Sequence, residues 1–329
     1  MQSLGIALMS AVAPVLLFIL PLALLTSCEY KDLCYDHNHW AMATPAFDWS
    51  KAPGANPKSM TVLVYDKARP ATEPERYDYR LVPPYPEIRL VPGDYQALTY
   101  NNDTETILLR GLEQPSTVEA YTRRSSIEEG TMIDTRSQMP RAAENEQVIL
   151  EPDSLWAGLS DDIHIQLDSL YKINMMPEPR FVEIDITVKN VPNLQYVGQM
   201  GGALTGLAAS IFLETGQLSD VTATQAFTCQ ATDGSTIHMK FRCFGHCPHH
   251  AEGNSSQHVF TLYAVLADGS KWYYTQDVSE QMHDSEKNPD VYNLYLELEE
   301  LPIPKPIVNG SGFQPTIDDW QGVEIDVGM

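Results

Sequence analysis

Basic residues are scarce in this chain. Lysine and arginine total 21 against 44 aspartates and glutamates, a formal net charge of -23. Such a surface repels phosphate backbones, which argues against nucleic-acid binding, and it disfavours wide contact with anionic headgroups. Enzyme signatures are missing as well: there is no Gly-x-Ser-x-Gly elbow, no glycine-rich phosphate loop and no His-Glu-x-x-His. Carboxylates are so numerous that no glycosidase pair stands out. The chain therefore reads as a non-enzyme with no cofactor and no catalytic residue. Long helical periodicity is also absent, whereas 23 prolines and 16 tyrosines favour strands and turns. Beyond residue 27 no run is apolar enough to cross a bilayer.

The first 27 residues are different. Residues 6–25 are apolar or small and uncharged, interrupted by Pro14 and Pro21, which suits a processed export signal better than a permanent helix. Residues 1–5 lack the Lys or Arg that such signals ordinarily carry. An uncleaved anchor helix is the alternative reading. The run ends in Leu25-Thr26-Ser27-Cys28, small residues ahead of a cysteine, which resembles the bacterial lipobox. That resemblance implies a signal peptide over 1–27, cut before Cys28, whose sulfur and freed amine become acylated (palmitate-type chains). Each buried methylene contributes about 0.8 kcal/mol, and stable anchoring takes two chains or more. The expected partner of Cys28 is thus membrane lipid, and the expected location is the outer membrane, exposed at the cell surface.

The rest has the composition of a folded protein, 43% hydrophobic, and a length suited to about two domains. Residues 28–41 read as a polar tether. Strand-like runs follow at 59–66, 87–91, 95–100 and 105–110, with a Pro92-Gly93-Asp94 turn. Residues 123–147, with four arginines and no sustained period, read as a long exposed loop. Alternation resumes at 162–168 and is clearest at 180–189. Residues 203–213 are ambiguous between strand and short helix. Residues 257–266 and 271–278 flank Asp268-Gly269 as a hairpin, 291–298 alternates again, and 301–329 is a Pro/Gly-rich tail with a final strand-like stretch. The expected fold is all-β: two tandem β-sandwiches, an N-terminal one over 42–158 and a C-terminal one over 159–300. Val323, Ile325 and Val327 mark a possible donor or edge strand, since an open sheet edge must be covered or used.

One cluster looks like a site. Cys243, His246, Cys247, His249 and His250 offer thiolates and imidazoles, the usual ligands of zinc or copper, but the Cys-x-x-x-Cys spacing matches no tight zinc motif. A strand running into a surface turn explains the segment equally, so no metal is assigned. The pairing of Cys34, Cys229, Cys243 and Cys247 stays open. His37 and His39 read as part of a solvated linker. Asp153-Ser154-Leu155 and Asp168-Ser169-Leu170 are similar to a short O-glycosylation acceptor, and equally to plain turns.

Several longer segments carry a family resemblance. Cys28-Glu29-Tyr30-Lys31-Asp32-Leu33-Cys34-Tyr35-Asp36-His37, Phe47-Asp48-Trp49, Phe244-Gly245-His246-Cys247-Pro248 and Asp268-Gly269-Ser270-Lys271-Trp272-Tyr273-Tyr274 resemble a Bacteroides-type lipoprotein family of unassigned activity in the fimbrillin-like group. The tail from Leu301-Pro302-Ile303-Pro304 to Asp318-Asp319-Trp320 extends the likeness. The wider group includes FimB-like anchors of type V pili, and the Gly93-Asp94-Tyr95 turn looks like one common in their first domain. The resemblance implies two transthyretin-like, Greek-key sandwiches and a structural or anchoring part in fimbriae, with fimbrillin-like pilus subunits as partners. It also implies that polymerising members of the group are cut at an arginine, which makes the arginines of 123–147 candidates. The alternatives are a surface module for glycan or host protein, using Trp272, Tyr273 and Tyr274, and a metal-handling lipoprotein.

Overall fold

The computed structural model describes residues 39–70, 72–167, 170–246, 257–283, 293–299, 301–306 and 319–325. The signal segment, Cys28, Cys34, nearly all of the tether, Ser169, Cys247, His249, His250 and Val327 lie outside the described residues. The chain is all-β, as its patterning implies. Its described strands are numbered β1 to β22 in chain order.

The first sandwich sets a three-stranded sheet, β11 (Leu170–Met175), β1 (Ala41–Phe47) and β4 (Ile88–Leu90), against a larger one. That sheet runs β12 (Glu178–Pro179), β9 (Trp156–Leu159), β5 (Gly93–Asn101), β2 (Ser59–Asp66) and β3 (Glu75–Arg80), with β10 (Ile163–Ile165) also paired to β5. Ala43, Ile88 and Ile173 from one sheet meet Val62, Tyr95 and Ala97 from the other. The second sandwich sets β17 (Gln230–Ala231), β18 (Ile237–Cys243), β13 (Val182–Lys189) and β21 (Asn293–Glu299) against a six-stranded sheet. The latter runs β22 (Trp320–Glu324), β20 (Lys271–Asp277), β19 (Val259–Leu266), β14 (Val197–Ala208), β16 (Thr222–Thr228) and β8 (Gln147–Ile149). Its core is built on Phe227 stacked against Phe241, ring centres 4.0 Å apart, with Ile186, Leu204 and Leu262 around them. Burying one such side chain stabilises by about 1.5–3 kcal/mol.

A small third sheet, β15 (Ser210–Phe212), β7 (Glu119–Tyr121) and β6 (Leu108–Arg110), joins the two halves. Val118 and Ala120, with Ile211 of β15, pack on Leu63, Leu98 and Leu155 of the first sandwich and on Ala208 and Phe244 of the second. Residues 40–329 accordingly cluster as one compact unit. Strand pairing crosses the break expected at 158–159 in both directions. That break falls inside β9; β10, β11 and β12 pair within the first sandwich, while β8 pairs in parallel with β16 of the second. The crossing itself lies at Arg180. Its buried guanidinium donates to the carbonyl of Leu213 at 3.0 Å and pairs with Glu178.

The exposed loop expected over 123–147 is instead a docked cover. It folds into the short helix α1 (Ile127–Thr131), capped by the Ser126 side chain, which accepts from the Glu129 amide. Ile127, Ile133 and Met139 are buried against Ala203, Ala226 and Tyr263, on the outer face of the six-stranded sheet. The Tyr263 hydroxyl donates to the Pro140 carbonyl at 2.5 Å, and Lys271 donates to the Ser137 hydroxyl. Gly130 lets the helix approach: a Cβ there would stand 2.5 Å from that of Ala226. With both faces covered, β14 is buried along residues 201–208, and the ambiguous segment 203–213 resolves into the end of β14 followed by β15.

Candidate functional site

Two features of the second sandwich stand apart from core packing: the sheet edge at β22, and a group of histidines at the opposite end of β19 from its hairpin turn.

The edge comes first. β22 runs parallel to β20, Trp320 opposite Lys271 through Glu324 opposite Thr275. The Ile325 amide extends the ladder by donating to the Thr275 carbonyl at 2.9 Å. The Trp320 ring meets Tyr263 edge to face, centres 5.5 Å apart, and Val323 and Ile325 pack against the inter-sheet core. Val323 and Ile325 thus lie on or just beyond an edge strand, where alternation puts them. Beside it is a polar cleft of about 650 Å³, lined by Thr275, Asp277, Glu280 and Glu324 among others. The aromatics of β20 are largely occupied by packing. Tyr274 is buried, with its hydroxyl donating to the Pro302 carbonyl at 3.3 Å, while Trp272 and Tyr273 lie partly buried against the two adjoining cores. That leaves the sugar-stacking alternative little free ring surface.

The histidines are placed by backbone irregularity. The β14–β16 register shifts between Leu204 and Leu207, a bulge containing Thr205 and Gly206. The bulge aims Thr205 toward β19: its hydroxyl accepts from the Val259 amide at 2.8 Å, and its carbonyl accepts from Nδ1 of His258 at 3.1 Å. A carbonyl only accepts, so Nδ1 carries the proton and Nε2 the lone pair. Burial is the main influence on His258 and pushes its pKa down to about 4. Gly206, at φ +75°, makes room; a Cβ there would lie 2.7 Å from His258 Nδ1. His246 follows β18 and bridges to Leu207. His283 ends the short helix α2 (Ser279–Met282), whose Ser279 hydroxyl accepts from the His258 amide. The rings of His246, His258 and His283 have centroids 5.1–5.8 Å apart, and one nitrogen from each lies within 4.8 Å of the others.

Of the expected ligand set, then, His246 alone is among the described residues of this group. Cys243 faces inward on β18, fully buried, its thiol pushed up to about 12 chiefly by desolvation. A protonated thiol in apolar surroundings is a core residue, and Cys229 is likewise buried and free. His238 sits on the other face of β18, 2.8 Å from Asp185 of β13. His258 and His283 were missed by sequence reasoning because neither belongs to the run of neighbouring Cys and His residues from Cys243 to His250.

No described helix is long and apolar enough to cross a membrane. Among curated proteins, a Bacteroides ovatus protein named as a fimbrium anchoring subunit, Fim4B, is 26% identical over 188 residues, 57% of this chain and 51% of the relative. The chain thus spans about half the length of that relative. A solved structure of a Bacteroides ovatus protein described as an adhesin matches at TM-score 0.56 and 20% identity, covering 85% of this chain and 99% of the other. That likeness concerns the fold. The fimbrial anchor protein Mfa2 from Porphyromonas gingivalis matches at TM-score 0.48 and 10% identity, over 79% and 90% of the two chains, which is too weak to bear on function. A family described as a domain of unknown function, DUF5119, matches residues 27–228, well over half of the sequence, and this chain belongs to it.

Proposed function

We propose that this protein is a cell-surface lipoprotein that anchors fimbriae. Acyl chains on Cys28 hold one end in the outer membrane, and the sandwiches behind the tether present the β22 edge to a fimbrial subunit. The observation that carries the reading is the similarity to the Bacteroides ovatus relative named as an anchoring subunit. The fold adds support. A sheet ending in a five-residue strand offers main-chain donors and acceptors to an added strand, the usual way β-sandwiches join. Alternate positions such as Val323 would then set the register. The net charge of -23 keeps such a protein from adhering broadly to anionic lipid, so attachment falls to the acyl chains.

The test is in the native host. Cys28→Ala is expected to move the protein from the membrane to the soluble fraction. Removing residues 319–329 is expected to abolish co-purification with a fimbrial subunit while leaving the membrane fraction unchanged. Subunit capture that survives the truncation would reject the β22 edge as the contact. A native N-terminal peptide bearing an unmodified Cys28 thiol would reject the lipid anchor.

A further inference from the structure

We infer that His246, His258 and His283 form a binding site for one divalent d-block cation, with zinc as the reference ion. The inference is independent of the anchoring reading. Three imidazoles converge from separate parts of the chain: the residue after the β18 turn, the residue before β19, and the C-cap of α2. Their nitrogens lie within 4.8 Å of one another. A zinc–nitrogen bond is about 2.0–2.1 Å, so ligand nitrogens on a tetrahedral ion stand about 3.3–3.4 Å apart. Closing that difference takes an inward movement of roughly 1 Å, within reach of small side-chain rotations by the partly buried His246 and His283.

The fixed member is His258, and what holds it is the support a metal-binding histidine ordinarily has. One ring nitrogen donates to a backbone carbonyl, which sets the tautomer and puts the lone pair on the other nitrogen. The carbonyl is available because Thr205 sits in the β14 bulge, and the ring fits because position 206 has no side chain. Ligand chemistry sets the ion class. Three imidazoles, with no carboxylate grouped with them among the described residues, favour zinc, copper(II) or nickel over magnesium or calcium. Three protein ligands also leave a coordination position for water or a group from outside.

The experiment uses full-length mature protein without a histidine tag, stripped of metal by chelator. Zinc binding is followed by equilibrium dialysis, and cobalt(II) reports the coordination through its visible bands. One equivalent of zinc is expected, with a rise in Tm on adding zinc. His258→Gln and His283→Gln should each weaken binding by more than about 100-fold, beyond the usual effect of losing an outer-shell partner. Because His258 is buried, the folded state of that variant is checked by circular dichroism; the partly exposed His283→Gln tests the site even if His258→Gln fails to fold. A double variant, His249→Gln with His250→Gln, should keep wild-type affinity within about threefold, less than about 1 kcal/mol. Binding that survives His283→Gln, or that disappears with His249 and His250 instead, overturns the assignment. So does a wild-type protein that holds less than about a tenth of an equivalent at saturating zinc.

Discussion

Met139 offers a sharp test of the cover over the second sandwich. It is 2% exposed and packs with Ile127 and Ile133 on the sheet carrying Ala203, Ala226 and Tyr263. Truncation to alanine in a buried site costs about 2–5 kcal/mol, and a segment at the edge of a core relaxes toward the lower end. Taking about 2–3 kcal/mol, the population of locally opened loop should rise roughly 30- to 160-fold. Arg136 and Arg141 flank Met139, so trypsin reads that population directly when reclosing is fast compared with cleavage. The assay is limited proteolysis under native conditions, with fragments assigned by mass spectrometry and initial rates measured in the linear range of protease. Wild-type protein should be cut slowly at Arg136 and Arg141, and Met139→Ala faster by the factor given. Equal rates in the two proteins would refute docking. An equal rise at every tryptic site would show that the whole sandwich opens and that the cover is no separate unit. The result bears on function, because the arginines of this loop were candidates for a maturation cut. A docked loop resists cutting, and cutting would uncover the outer face of the sheet that carries β22.

Glu119 is buried on β7, held by the Arg110 guanidinium at 2.6 Å and by the Ser210 hydroxyl, and the arginine chiefly lowers its pKa. Below its unfolded pKa the unfolded chain takes up a proton that the folded chain resists, so this stability, full above that value, is lost as pH falls through the folded one. Glu119→Gln should therefore flatten the acid limb of a Tm-against-pH curve, and an unchanged limb would count against the pairing. Gly206→Ala forces a side chain into φ +75° and against His258, at a cost of about 2–4 kcal/mol. A Tm within about 2 °C of wild type would contradict the close approach. Cys229 and Cys243, both buried and free, should resist a thiol reagent in native protein and react fully in denaturant, as counted by intact-mass labelling. Labelling of either before unfolding would place it outside the core.

Legibility in the sequence followed how many faces of a strand are covered. β13 and β18 bury one face, alternate clearly, and were recognised from that alternation or from the segment they occupy. β14 is covered on both faces, by the inter-sheet core and by the 123–147 segment, so it has no period to detect. That segment was misread for the converse reason. Its buried hydrophobic residues, Ile127, Ile133 and Met139, are separated by polar stretches, too sparse to give a helical or a strand period. Partnership was also hidden. Nothing in residues 170–175 announces a parallel pairing with β1, more than a hundred residues earlier, so the break between sandwiches was placed too early.

The histidines carry the same argument to the scale of a site. Sequence reasoning gathered Cys243 to His250 because they are neighbours in the chain. Strand geometry separates such neighbours: Cys243 turns into the core on β18, and the chain leaves the strand before His246. What brings ligands together is a bulge in β14, a glycine within it, and a helix cap at the end of the β19–β20 hairpin. Each of those is a local sequence feature, but their convergence is set by which strands pair. Adjacency along a β chain therefore does not by itself make a shared site, and here the residues that converge flank an irregularity in the ladder.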